Sequence, residues 1–159
     1  MIKVGDRIPS ATLREKTAEG IKPVTTDELF KGKKVALFAL PGAFTPTCSA
    51  KHVPSFVSNY DALKGKGISE IVCVSVNDAF VMEAWGKDQK AEGKVRMLAD
   101  GNAEFSDALG LSFDASGFGM GKRSQRYAMV VDDGVVKTLN VEKPGAFEVS
   151  SGEAVLQAL

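Results

Sequence analysis

Two cysteines and a single histidine are the most reactive side chains in this 159-residue sequence, and one of the cysteines has an unusual setting. Cys48 closes the stretch Pro41-Gly42-Ala43-Phe44-Thr45-Pro46-Thr47-Cys48. Ahead of that stretch, Val35-Ala36-Leu37-Phe38-Ala39-Leu40 is a continuous apolar run, the pattern of a strand buried on both faces. Beyond it, Val53, Phe56, Val57 and Tyr60 recur at helical spacing. The pattern puts Cys48 where the C-terminal end of a strand turns into a helix N-terminus. Ligands bind along that edge of an open α/β sheet. Unpaired N–H groups and the helix dipole favour an anion there, and the thiolate is the reactive form of cysteine. Cys48 is therefore a candidate nucleophile. The competing reading is a small buried hydrophobe, the usual state of a free cysteine. Small and hydroxyl-bearing neighbours, the helix start and the prolines at 41 and 46 speak for the nucleophile.

The remaining candidates are weaker. Cys73 lies among Ile71, Val72 and Val74, which reads as a buried strand where cysteine is packing. His52 lies one helical turn after Cys48, but a thiolate stabilised by its position needs no general base. It reads as a rim residue with local hydrogen bonds. A lone histidine without Cys-x-x-Cys or His-x-x-x-His spacing argues against a zinc or iron site. No Gly-x-Gly-x-x-Gly follows a strand. Gly117-Phe118-Gly119-Met120-Gly121-Lys122 imitates a phosphate loop with the wrong glycine spacing and reads as a mobile loop. Thr45-Pro46-Thr47-Cys48 lacks the first cysteine of a disulfide-exchange motif.

The elements that must position Cys48 follow from patterning. Val4 to Val24, broken by Gly5, Pro9, Gly20 and Pro23, suggests an N-terminal hairpin. Thr25-Thr26-Asp27-Glu28 has capping-box spacing before a short helix that Gly32 stops. Then come the strand ending at Leu40 and the Cys48 helix, which Pro54 should kink and Gly65 and Gly67 end. Residues 70–76 form a second buried strand, and Asn77-Asp78 caps a helix carrying Val81, Met82 and Trp85. A strand over 95–99, a helix over 102–109, the glycine-rich loop, a hairpin about Asp132-Asp133-Gly134 and a helix opened by Ser151-Gly152-Glu153 complete the chain. The order is α/β: one domain over 1–159, a mixed sheet with helices on both faces and one antiparallel edge.

Apolar and charged fractions of 44% and 25% are those of an ordinary globular protein. A formal net charge of zero without a basic block points away from nucleic acid and anionic membranes. The N-terminus carries no signal-peptide pattern and no apolar run is long enough to span a bilayer, so the cytoplasm is the expected location.

The block Pro-Gly-Ala-Phe-Thr-Pro-Thr-Cys-Ser-x-x-His-x-Pro from Pro41 to Pro54 resembles the active-site motif of type II (type 5) peroxiredoxins. The likeness continues through Val74-Ser75-Val76-Asn77-Asp78-x-Phe80-Val81-Met82-x-Ala84-Trp85, Arg123-Ser124-x-Arg126-Tyr127 and Asn140-Val141-Glu142, so it covers nearly the whole chain. It implies a thioredoxin-like fold with an N-terminal hairpin extension. It also implies an antioxidant oxidoreductase, a peroxidase needing no metal, haem or flavin cofactor, which serves cell redox homeostasis.

Carried over residue by residue, the resemblance makes Cys48 the peroxidatic cysteine of the redox-active centre, oxidised to a sulfenic acid. Thr45 would hydrogen-bond the peroxide and the sulfur, and Pro41 would shield the thiolate. Arg126 would stabilise the thiolate and orient the peroxide. Read from the residues alone, Thr45 is equally a helix cap and Arg126 a surface ion-pair partner, with Arg123 helping to position the loop. His52→Asn should then keep most peroxidase turnover. Phe44, Phe80, Phe113 and Phe118, with His52, would rim an apolar pocket suited to alkyl hydroperoxides as well as hydrogen peroxide. The Asn77-Asp78-x-Phe80 and Phe44-Thr45 surfaces would meet across a two-fold axis in a homodimer.

Two routes of regeneration stand open. Cys73 could resolve Cys48, which requires the first helical turn to unwind. Alternatively, glutathione with glutaredoxin, or thioredoxin, attacks the oxidised Cys48, and the burial of Cys73 favours this second route. The C-terminal resolving cysteine of some relatives has no counterpart, since Phe147-Glu148-Val149-Ser150-Ser151 stands there. The rival from another class is a redox sensor or holdase on the same fold, using the same reactive thiolate without turnover.

Overall fold

The computed structural model spans Met1 to Leu159 and is organised about β3 (Lys34–Leu40). This strand pairs in parallel with β4 (Glu70–Ser75) on one side and antiparallel with β8 (Tyr127–Asp132) on the other. Val35, Leu37 and Ala39 enter one core, while Ala36, Phe38 and Leu40 enter the other. A strand buried on both faces explains the unbroken apolar run read from the sequence. β4 behaves alike, sending Val72 and Val74 one way and Ile71 and Cys73 the other.

The full sheet has seven strands in the order β2-β1-β5-β4-β3-β8-β9, with β1 at Thr12–Thr17, β2 at Gly20–Thr25, β5 at Arg96–Ala99 and β9 at Val135–Val141. This is the mixed α/β sheet that the patterning predicts, with one difference. The sheet has two antiparallel edges, because the β1–β2 hairpin docks beside β5 through the Arg14–Ala99 pair. Leu13 and Val24 of the hairpin are buried in the core, so apolar burial anchors it to the sheet.

Helices α1 (Thr26–Phe30), α2 (Val53–Ser58), α3 (Tyr60–Gly65), α4 (Ala79–Asp88), α5 (Glu104–Leu109) and α6 (Gly152–Gln157) connect and flank the strands. Thr25, Asp78 and Ser151 cap α1, α4 and α6 through their side-chain oxygens, satisfying N–H groups that would otherwise lack partners. The glycine-rich segment is more ordered than expected. β6 (Ser112–Asp114) and β7 (Lys122–Ser124) pair as a small antiparallel sheet of their own. No helix is long and apolar enough to cross a membrane.

The Cys48 helix departs most from its expected form. Cys48 to His52 is a π-helical turn, with the Val53 N–H donating to the Cys48 carbonyl five residues back. Pro54 offers no N–H and its ring would crowd the carbonyl four residues earlier. The chain widens ahead of the proline, which then sits in the first turn of α2 where proline is tolerated. A second break at Asn59 separates α2 from α3, with the Asn59 amide donating to the Ser55 carbonyl at 2.7 Å.

Candidate active site

Register assembles the site. Ala39 of β3 lies opposite Tyr127 of β8, so Arg126, one residue earlier, reaches the end of β3 where the Pro41–Cys48 loop departs. The guanidinium spans two partners. Nη2 donates to the Cys48 sulfur at 3.1 Å, and Nη1 lies 2.8 Å from Nδ1 of His52. On the other side of the ring, His52 Nε2 lies 2.9 Å from the Ser150 carbonyl. A carbonyl only accepts and an arginine only donates. His52 is therefore the neutral Nε2–H tautomer, donating to Ser150 and accepting from Arg126.

The electrostatics agree with that assignment. Burial first, and then the Arg126 charge, lower the His52 pKa from 6.5 to about 3, outweighing the Ser150 carbonyl and the Glu142 charge. His52, expected on the rim, is fully buried. It packs against Phe38, Phe56 and Phe147 with ring centroids 4.8, 5.8 and 5.1 Å away. The expectation failed because spacing along a helix does not reveal which side the next segment covers. Here residues 147–150 close over the ring.

The loop before Cys48 is held at several points. The Thr45 hydroxyl donates to the Gly42 carbonyl at 2.6 Å, so the alternative of a cap to a helix N–H is not what the loop uses. Asn77 Oδ1 accepts from the Ala43 N–H at 3.0 Å and from the Ser75 hydroxyl at 2.6 Å. Arg123 donates from Nη1 to the Pro41 carbonyl at 3.2 Å and from Nε to the Met120 carbonyl at 3.0 Å. Gly42 is required by this clamp, because a Cβ there would lie 2.7 Å from Arg123 Nη1. On the far side of the turn, Trp85 donates from its indole nitrogen to Ser49 at 3.0 Å. Phe44 adopts a positive φ of 62° and leans on Trp85 at 6.4 Å.

Both cysteines are free thiols with no exposed surface, and they share one core cluster. Cys73 sits mid-strand between Phe38 and Met97. Burial, and next the neighbouring Cys48, push its pKa well above the ordinary thiol range, while Arg126 opposes them. Phe44, Phe80, Phe113 and Phe118 are all exposed, Phe118 the most at 84%. A surface groove of about 540 Å³ lies elsewhere, beside Glu15, Glu70, Glu83 and Arg96. Its main charges pair with one another, as Arg96 does with Glu15 and Glu70 at 2.9 and 3.2 Å.

Sequence reasoning placed Arg126, Thr45 and Pro41 around Cys48 only through the family likeness, and it missed what holds Arg126. Asn77 follows a parallel strand, as the Phe44-Thr45 loop does, and that pattern puts both at one sheet edge, in keeping with the Ala43–Asn77 contact. Glu142 was visible as part of the likeness, but no local signal tied it to the site.

Comparison with known proteins agrees with this geometry. The sequence profile described as Redoxin matches residues 3–156. The chain is 54% identical to peroxiredoxin-2E, chloroplastic, of Arabidopsis thaliana, over 99% of this chain and 69% of that protein. It is 46% identical to Arabidopsis peroxiredoxin-2B over 99% of this chain and 98% of the relative. The crystal structure of reduced Prx3 from Vibrio vulnificus in complex with hydrogen peroxide superposes with a TM-score of 0.96 at 57% identity, covering 99% of both chains. With that likeness running the length of the chain, and an arginine-held thiol at the strand end, the protein belongs to the redoxin family and is a peroxiredoxin of thioredoxin-like fold, a thiol peroxidase.

Proposed function

We propose that the chain reduces hydrogen peroxide and alkyl hydroperoxides at Cys48 and is regenerated by an external thiol, glutathione with glutaredoxin or thioredoxin. The observation that carries this is the Arg126–Cys48 contact at 3.1 Å, made by a guanidinium whose other arm is already engaged. A fixed cation beside the sulfur stabilises the thiolate. Its N–H groups are in place to stabilise charge building on the departing oxygen without reorganisation.

In the reaction the Cys48 thiolate attacks one peroxide oxygen. The S–O bond forms as the O–O bond breaks, and the departing alkoxide or hydroxide takes up a proton. Cys48 is left as sulfenic acid, oxidised by two electrons. The single hydrogen of the Thr45 hydroxyl is committed to the Gly42 carbonyl. Its lone pairs remain available, so Thr45 acts by accepting the peroxide O–H, orienting the substrate rather than donating to the sulfur. Pro41, whose carbonyl Arg123 holds, keeps the loop shut over the thiolate.

The fully buried Cys48 supports regeneration through local opening. Peroxide is small enough to enter on slight loosening, whereas a thiol reductant needs the first turn to unwind. One thiol then displaces water from the sulfenic acid to form a mixed disulfide, and a second releases Cys48 with the reductant oxidised. A buried Cys73 with a raised pKa is a poor competitor, which supports the external route. The exposed Phe44 and Phe80 support a homodimer through that face. A thiol-fed cycle needs a reducing compartment, for which the cytoplasm is the proposed setting.

Peroxide-consumption assays with each reductant system test the proposal, with Cys48→Ser as the inactive control. Turnover with one of them is expected. A single stoichiometric oxidation that no thiol reverses would instead mark a sensor.

A further inference from the structure

Glu142 immediately follows β9 and faces Arg126 across the β8–β9 ladder, where its N–H donates to the Arg126 carbonyl at 2.9 Å. A carboxylate opposite a guanidinium would ordinarily pair with it. Instead the Glu142 side chain, only 6% exposed, turns toward residues 148–150. It accepts from the N–H groups of Glu148 at 2.8 Å, Val149 at 2.9 Å and Ser150 at 2.9 Å, and from the Ser150 hydroxyl at 2.7 Å. Four donors converge on one carboxylate. Ser150 then presents its carbonyl to His52, whose other nitrogen receives Arg126. A continuous chain of hydrogen bonds thus runs from Glu142 through Ser150, His52 and Arg126 to the sulfur. Next along the chain, the Gly152 N–H donates to the Ser55 hydroxyl at 3.0 Å, closing the strap onto α2.

We infer that Glu142 is a positioning residue for the peroxidase reaction: it gathers the 148–150 strap so that the Ser150 carbonyl fixes His52, and His52 fixes Arg126 against Cys48. The strap's donors occupy the carboxylate, which leaves the guanidinium free for the thiolate instead of neutralised across the ladder. Glutamine is not an adequate substitute, because its amide would bring two donors to a site built entirely from donors. This rests on the thiol peroxidase reading, and its test has one arm that is independent of that reading.

His52 is the only histidine, so its ring nitrogens give a single set of ¹⁵N resonances. In the intact chain they should show one Nε2–H tautomer that does not titrate between about pH 5 and 8. Glu142→Gln should give averaged tautomers or titration within that range, with peroxide reduction slowed about tenfold, the scale typical of groups that orient a reacting side chain. An unchanged His52 spectrum in folded Glu142→Gln overturns the inference, whatever the activity does. If the parent chain shows the fixed tautomer yet consumes no peroxide, the peroxidase reading fails and the spectral comparison still decides. Should Glu142→Gln not fold, Ser150→Ala decides. It removes one donor and should shift the His52 signals the same way by less, and no shift overturns the inference.

Discussion

His52 accepts a hydrogen bond from Arg126 through Nδ1 at 2.8 Å, so a neutral imidazole, not an imidazolium, stands behind the guanidinium that touches Cys48. The ring does not move protons for the thiol. It acts as a buried acceptor that determines where Arg126 points, and this replaces the rim role expected from spacing. Asparagine at 52 is too short to reach both Arg126 and Ser150. His52→Asn is therefore expected to reduce the peroxide reaction rate by about tenfold rather than to leave it intact. Single-turnover kinetics of the reduced protein measure this, and retention within twofold would restore the simpler view.

Arg126 itself should matter more. Arg126→Gln removes the charge beside the sulfur and the donors aimed at the departing oxygen, and a loss of roughly 10²-fold or more in the peroxide step is expected. Circular dichroism should show an unchanged fold. The loss would be mis-assigned if Arg126→Lys restored full rate, since a lysine point charge cannot serve Cys48 and His52 together.

The buried histidine gives stability a pH dependence. Its folded pKa of about 3 lies below the ordinary 6.5, so the unfolded chain takes up a proton that the folded chain refuses. Stability is complete above about pH 6.5 and falls with acidification toward pH 3, by about 1.4 kcal/mol per pH unit. The Glu142 carboxyl acts lower down. Burial raises it, but the Ser150 hydroxyl and the N–H groups of Glu148, Val149 and Ser150 prevail and hold it below the ordinary carboxylate range. Its contribution is present above the unfolded carboxylate value and lost as pH drops through the folded one. Urea unfolding at about pH 7 and pH 5 should differ by about 2 kcal/mol, and His52→Phe should flatten the difference.

Two glycines separate activity from stability. A Cβ on Gly152 would lie 2.8 Å from the Ser55 carbonyl carbon and 3.1 Å from the Phe56 nitrogen, both backbone atoms that cannot step aside. Gly152→Ala should cost about 2 kcal/mol or more in denaturant unfolding. A Cβ on Gly42 meets the end of the Arg123 side chain, which can swing away. Gly42→Ala should leave stability within about 0.5 kcal/mol while releasing Pro41 and slowing peroxide reduction. Equal stability losses in the two variants would refute the distinction.

Cys73 offers the last test. With external regeneration, Cys73→Ala retains turnover, and peroxide-treated parent protein contains no Cys48–Cys73 linkage in non-reducing mass spectrometry. A linkage formed as fast as turnover would reverse that expectation.

The sequence alone determined the strand–turn–helix that carries Cys48. Unbroken apolar runs at Val35–Leu40 and Ile71–Val74 match strands covered on both faces, and the turn that follows the first of them leads into Cys48. The Asp133-Gly134 turn was equally legible, since both residues take positive φ, 48° and 84°, as a two-residue hairpin turn demands. Only the tertiary structure decided what surrounds the thiol. Arg126 lies 78 residues from Cys48 and Ser150 lies 98 from His52. Their approach depends on β8 pairing antiparallel beside β3 and on the strap that Glu142 gathers. Register across a sheet and closure of a distant loop are set by packing between segments, and no periodicity within either segment encodes them.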